Sequence, residues 1–148
     1  MTDTDKPSPL PADAPAGLLA SMPFAAELGI DLQEATANRV LGSLPWSPGK
    51  CTVGGVLHGG ALMTLADSVG AVCAFLNLPA GAGTSTVESK TNFLRPVLAG
   101  RVHAEARPLH TGRTVVVVQT DLRDDENRLC GRTTQTQLVI PPKNGTPE

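Results

Sequence analysis

The chain has no tyrosine, one tryptophan (Trp46) and three phenylalanines (Phe24, Phe75 and Phe93) in 148 residues. It therefore has too few aromatic platforms to recognise nucleic acid by stacking bases. Charge of one sign is also missing: Lys plus Arg total 12 against 14 Asp plus Glu, a formal net charge of −2. That balance removes the general electrostatic case for nucleic acid or an anionic membrane and leaves only local basic clusters. No apolar run approaches the length of a membrane span, and Met1-Thr2-Asp3-Thr4-Asp5-Lys6 is not a basic region followed by an apolar one. The chain reads as soluble and cytoplasmic. Cysteine is scarce: Cys51, Cys73 and Cys130 are odd in number and widely spaced, so they are expected to be ordinary small apolar residues rather than a disulfide framework. His58, His103 and His110 lie far apart with no Cys or carboxylate at a ligand spacing, and neither Gly-x-x-x-x-Gly-Lys nor Gly-x-Ser-x-Gly occurs. No metal, no redox cofactor and no serine-hydrolase elbow are expected.

What is present fits one domain with a hydrophobic core. Residues 1–15, with Pro7, Pro9, Pro11 and Pro15 among small and polar residues, are expected to form a disordered tail, and residues 141–148 a flexible one. Within 16–140, the spacing predicts a short helix over Ala16 to Met22 that Pro23 ends. Phe24, Leu28 and Ile30 then lead into a strand through Gly29, and Val40 to Trp46 is a second extended piece. Leu62, Leu65, Val69, Val72, Cys73 and Leu76 recur at helical spacing from about Gly60 to Asn77, with Pro79 beyond. Four long β-patterned segments follow: Thr84 to Arg95, Gly100 to Leu109, Thr114 to Asp121 and Leu129 to Ile140. Gly100, Thr111-Gly112 and Asp124-Asp125-Glu126-Asn127 supply turns, so sequential antiparallel hairpins are the economical arrangement. The unbroken Val115-Val116-Val117-Val118 suggests a strand covered on both faces.

The chemistry concentrates in Gly54-Gly55-Val56-Leu57-His58-Gly59-Gly60-Ala61-Leu62-Met63-Thr64-Leu65-Ala66-Asp67, a glycine-rich turn running into an apolar helix with one carboxylate. Backbone N–H groups at such a helix start have no intrahelical partner and carry the positive end of the helix dipole, so they can hold a developing oxyanion. Asp67 is a lone charge in an apolar stretch, costly unless it is paired or reactive. Gly59 and Asp67 are eight residues apart, about 12 Å along a helix axis at roughly 1.5 Å per residue. One reacting carbon cannot touch both. Two copies with antiparallel central helices would bring the N-terminus of one helix near the middle of the other, which predicts a dimer with two shared sites.

This order, followed by Glu88-Ser89-Lys90-Thr91-Asn92-Phe93-Leu94-Arg95-Pro96, resembles the hotdog-fold acyl-CoA thioesterases of the phenylacetate-pathway and 4-hydroxybenzoyl-CoA type, over roughly residues 22 to 140. The resemblance implies an α+β hotdog fold, a long antiparallel sheet wrapped around one central helix, assembled as a homodimer or dimer of dimers. It implies hydrolysis of an acyl-CoA with no cofactor beyond the coenzyme A of the substrate. In similar enzymes the amide matching Gly59 polarises the thioester carbonyl, with Gly60 a second candidate donor here, and the carboxylate matching Asp67 comes from the neighbouring subunit. Asp67 is either general base or nucleophile. His58 is either a strut shaping the turn or an actor. Family members often carry Asn or Gln where this chain has Thr52, and a Ser or Thr on the strand after the helix, a role open to Ser85 or Thr86. Lys90, Asn92, Phe93, Arg95 and Pro96, with Gly112 and Arg113, match segments that line the coenzyme A path. Two rivals share the scaffold: a hydratase using His58 with Asp67, and a noncatalytic acyl-CoA sensor. The acyl group is left open among aryl, phenylacetyl and aliphatic.

Overall fold

A computed structural model of the chain describes residues 14–143. Two short helices, α1 (Ala14–Ala20) and α2 (Pro23–Leu28), precede strands β1 (Asp31–Ala35) and β2 (Val40–Pro45). The long helix α3 (Gly59–Phe75) and strands β3 (Gly83–Phe93), β4 (Arg101–Thr111), β5 (Val115–Arg123) and β6 (Leu129–Ile140) complete the chain. The strands form one antiparallel sheet in the order β1-β2-β4-β5-β6-β3. Helix α3 packs against one face of this sheet. Leu65, Ala66, Val69 and Cys73 pack there against Val102, Ala106, Val116, Val118, Leu122 and Cys130, all fully buried. This is the hotdog architecture. Burial pushes the Cys73 thiol up to about 11, out of reach of thiolate chemistry near neutrality. Among the described residues no helix is long and apolar enough to cross a membrane.

Four expectations change. Pro23 opens a second helix as well as following the first. Its missing N–H and fixed φ suit the first helical position, and Gly29, at φ 90°, caps α2 before β1. Helix α1 begins at Ala14, so Ala14 and Pro15 belong to it. Residues 1–13 and 144–148, the rest of the two expected tails, lie outside the described residues. Next, β3 and β4 do not form a hairpin. After Phe93 the N–H groups of Leu94 and Arg95 both donate to Cys130 O, Pro96 has no donor to continue a ladder, and the buried Val97 accepts from Leu57 N. The chain thus crosses the end of the sheet and re-enters as β4 beside β2, leaving β3 paired only with β6. The turns at Thr111-Gly112 and Asp124–Asn127 do join hairpin neighbours. Finally, the valine run alternates: Val116 and Val118 are buried under α3, whereas Val115 and Val117 are half-buried on the outer face. One chain covers one face only.

Glycine sets how closely α3 can approach. A Cβ at Gly42 would meet Val69 Cγ2 at 2.6 Å, and one at Gly70 would fall on the side-chain amide of Gln135, with Cδ at 2.6 Å. At its far end the helix is tied down by Asn77, whose Nδ2 donates to both Cys73 O and Ala37 O at 2.8 Å.

Candidate active site

The start of α3 is shaped by the loop after β2. Gly54 and Gly55 take left-handed φ values of 78° and 73°, which glycine adopts without a Cβ penalty. Trp46 Nε1 donates to Gly55 O at 3.0 Å, and His58 N donates to Lys50 O at 2.9 Å. His58 is the N-cap: its Nδ1 accepts from Gly60 N at 2.7 Å. In the neutral ring the proton therefore sits on Nε2. Gly60 N–H is thereby engaged, and Ala61 N–H turns back to His58 O. Gly59 N–H has no acceptor among the described residues, so the free donor of the expected pair is Gly59 alone. The two glycines answer to two rings. A Cβ at Gly60 would lie 2.9 Å from His58 Nδ1, and one at Gly59 would lie 3.2 Å from Phe93 Cζ.

Asp67 is half-buried two turns further along. Its Oδ1 accepts from Thr86 Oγ1 at 3.2 Å and from Gln135 Nε2 at 3.3 Å. Behind Thr86 stands Gln137, whose Nε2 donates to Thr86 Oγ1 at 2.6 Å and whose Oε1 accepts from Thr84 Oγ1 at 3.1 Å. The donors thus run Gln137 to Thr86 to Asp67 and fix the orientation of the carboxylate. Its other oxygen, Oδ2, has no partner among the described residues. Asp67 faces a groove of about 460 Å³ lined by Met22, Pro23, Phe24, Met63 and Ala71 among others. A second recess of about 360 Å³, containing Phe24, Lys50, His58, Gly60 and Thr64, adjoins the helix start.

Thr86, Asp67 and the β3 strand are thus brought together within one chain. Ser85 is not: Thr84 and Thr86 share the inward face with Gln137, so strand alternation turns Ser85 outward. Thr52 is exposed, and its side chain makes no capping bond at the short turn that it precedes. Lys90 Nζ donates to Asn92 Oδ1 at 2.9 Å, and Asn92, Phe93, Arg95 and Pro96 are all exposed at the end of β3 that passes the helix start. Gly112 and Arg113 lie at the other end of the sheet. Thr114 O accepts from Val139 N, whereas Arg95 N donates to Cys130 O. Nine extended residues of β6 separate the two positions, roughly 30 Å at about 3.3 Å per residue. One chain cannot bring Arg95 and Arg113 to the same nucleotide.

Sequence reasoning passed over Gln135 and Gln137, fully buried on the inward face of β6. Their signal lies in the alternation. Thr133, Gln135 and Gln137 share the face of Val139, where apolar residues are the rule, and polar groups there need partners.

Residues 54–131 match the model of the thioesterase superfamily. The chain belongs to the thioesterase superfamily. Among solved structures, a thioesterase from Haemophilus influenzae is 32% identical with a TM-score of 0.80, over 87% of this chain and 90% of that one. A mutant thioesterase from Pseudomonas aeruginosa is 29% identical with a TM-score of 0.83, over 92% and 97%. The 1,4-dihydroxy-2-naphthoyl-CoA hydrolase of Escherichia coli is 34% identical across 58% of this chain and 63% of its own. For a thioesterase of this fold, the matched segment holds both the helix-start donor and Asp67.

Proposed function

We propose that this thioesterase hydrolyses an acyl-CoA to the free acid and CoA, with Asp67 as the essential carboxylate. The observation that carries this reading is the setting of Asp67: one oxygen held by Thr86 and Gln135, the other without a partner among the described residues, in the wall of an apolar groove. The Escherichia coli relative, named as a hydrolase of an aryl-CoA, supports coenzyme A as the thiol carrier. In the reaction the carbonyl oxygen accepts from Gly59 N–H while charge builds on it. Asp67 either takes a proton from the attacking water or attacks the carbonyl carbon itself to form an anhydride that water then opens. On either route the hydroxyl of water ends on the acyl carbon and a proton on the CoA sulfur.

Within one chain Gly59 and Asp67 are too far apart to share a carbon, so the site is composite and the enzyme is a homodimer or a dimer of dimers. Strand β3 supports that assembly. It is an eleven-residue edge with one ladder side open, and Val87 and Phe93 on it are 59% and 52% exposed. Long open edges of this kind are normally covered. Phe93 lies against Gly59, so the Lys90–Pro96 end of β3 is the path for pantetheine and phosphates. Arg113 reaches that path only from another copy. His58 gives its Nδ1 to Gly60, which favours a strut over the acid–base partner that a hydratase needs.

The test is thiol release from aryl-CoA and aliphatic acyl-CoA panels by the unmodified protein and by Asp67→Asn, which keeps the shape and removes the charge. Release should fall by at least about a hundredfold in the variant, the lower end expected for a general base. Equal rates would remove Asp67 from the mechanism. Tight acyl-CoA binding with no release from any substrate would point to a sensor.

A further inference from the structure

The groove in front of Asp67 has Met22 and Ala71 in its lining. A second apolar cavity, of about 180 Å³, lies beyond it, lined by Leu18, Ser21, Met22, Ala71, Val72 and Phe75. Met22 and Ala71 line both spaces. On α3 the shared stripe runs Thr64, Asp67, Ala71, Phe75, steps of three and four residues that put all of them on one face. From Asp67 to Phe75 that stripe spans about 12 Å at roughly 1.5 Å per residue. Opposite it stand α1 and α2, with Met22 at their junction.

We infer that the Met22 side chain is the gate that sets acyl-chain length. It closes the neck between the two cavities, and an unbranched aliphatic chain would run from Asp67 past Ala71 toward Phe75. The inference rests on the groove beside Asp67 being the acyl site. The Met22 backbone is fixed from both sides: its N–H donates to Leu19 O at 2.9 Å and its carbonyl accepts from Ala26 N at 3.0 Å. Only the side chain is free to yield, and an unbranched thioether with three rotatable bonds suits that role. Across the neck Ala71 is small, so the opening is controlled from the Met22 side. An aryl group needs only the first cavity, whereas a long straight chain needs both.

The test measures binding of a series of S-alkyl-CoA thioethers, which cannot be hydrolysed, to the unmodified dimer and to Met22→Ala, Met22→Leu and Ala71→Leu. In the unmodified protein affinity should rise about fourfold for each added methylene and then level off where the chain meets Met22. Met22→Ala should move that break to longer chains. Met22→Leu, which conserves volume, should leave it in place, and Ala71→Leu, narrowing the neck from the helix side, should move it to shorter ones. The same break in all four proteins would overturn the gate. Because the thioethers bind without chemistry, that failure is separate from failure of Asp67 as catalyst, which thiol release by Asp67→Asn reports. Should Met22→Ala not fold, a break moved to shorter chains in Ala71→Leu and unmoved in Met22→Leu still decides the matter.

Discussion

Gly70 and Gln135 form the support on which the aim of Asp67 depends. Gln135 reaches Asp67 only because Gly70 leaves the space that its amide fills. Gly70→Ala should force the amide aside and lower kcat about tenfold with little change in KM, because the carboxylate is misaimed rather than lost. Stability should fall by about 1–3 kcal/mol, the usual range for overpacking. Adding Gln135→Ala removes the clash. Thermal or denaturant unfolding should then recover part of the loss while kcat stays low, since Oδ1 has still lost a donor. Recovery of both together would reduce Gln135 to a space-filler. Neither residue stood out in the sequence. A glycine inside a helix and a glutamine inside a strand each read as ordinary, and only their meeting across the core gives them a task. Asp67, Gly59 and His58 stood out because the cost of a lone charge and the geometry of a helix start are local facts.

Helix α3 and the four long strands were legible for a related reason: each carries its own hydrophobic period, 3.6 or 2, over enough residues to be unambiguous. Helix α2 was not, because Pro23 is compatible both with ending a helix and with starting one. The pairing of β3 with β6 was not either, because turn residues near Gly100 say that the chain bends without saying how far it travels first. The register of β5 with β6 brings Asp121 opposite Arg132. Arg132 donates from Nε at 2.6 Å and Nη2 at 2.9 Å, and Arg123 adds Nη2 at 3.2 Å. The Arg132 hydrogen bond above all holds the Asp121 carboxyl below its ordinary value of 3.8, against the opposing effect of burial. A carboxyl lowered in the folded state stabilises the fold above its unfolded value and loses that contribution as pH falls through the folded one. Asp121→Asn should thus be less stable than the unmodified chain at neutral pH, by about 1 kcal/mol for a pair open to solvent. The gap should close as pH drops below 3.8. Denaturant midpoints for both proteins across that range check it, and a gap that persists in acid would assign the effect to packing instead.

At the scale of the molecule the deciding question is whether one site needs two chains. Gly59→Pro is suited to asking it. Gly59 is the first residue of α3, where proline is favoured, and His58 before it already has φ −60° and ψ 136°, the extended region that a residue preceding proline prefers. The substitution removes the N–H at the helix start that has no acceptor among the described residues, while leaving the helix able to form. The added ring presses on Phe93, which is half exposed and can turn away. Release should fall by roughly a hundredfold to a thousandfold, as for loss of one oxyanion donor. Asp67→Asn should be inactive for the complementary reason. If each site takes Gly59 from one chain and Asp67 from its partner, a mixed dimer of the two variants contains one doubly altered site and one intact site. Unfolding and refolding an equal mixture should then restore about a quarter of the original activity, since half the dimers are mixed and half of their sites are whole. If Gly59 and Asp67 of the same chain served one site, every site in the mixture would carry one lesion, and no activity would return.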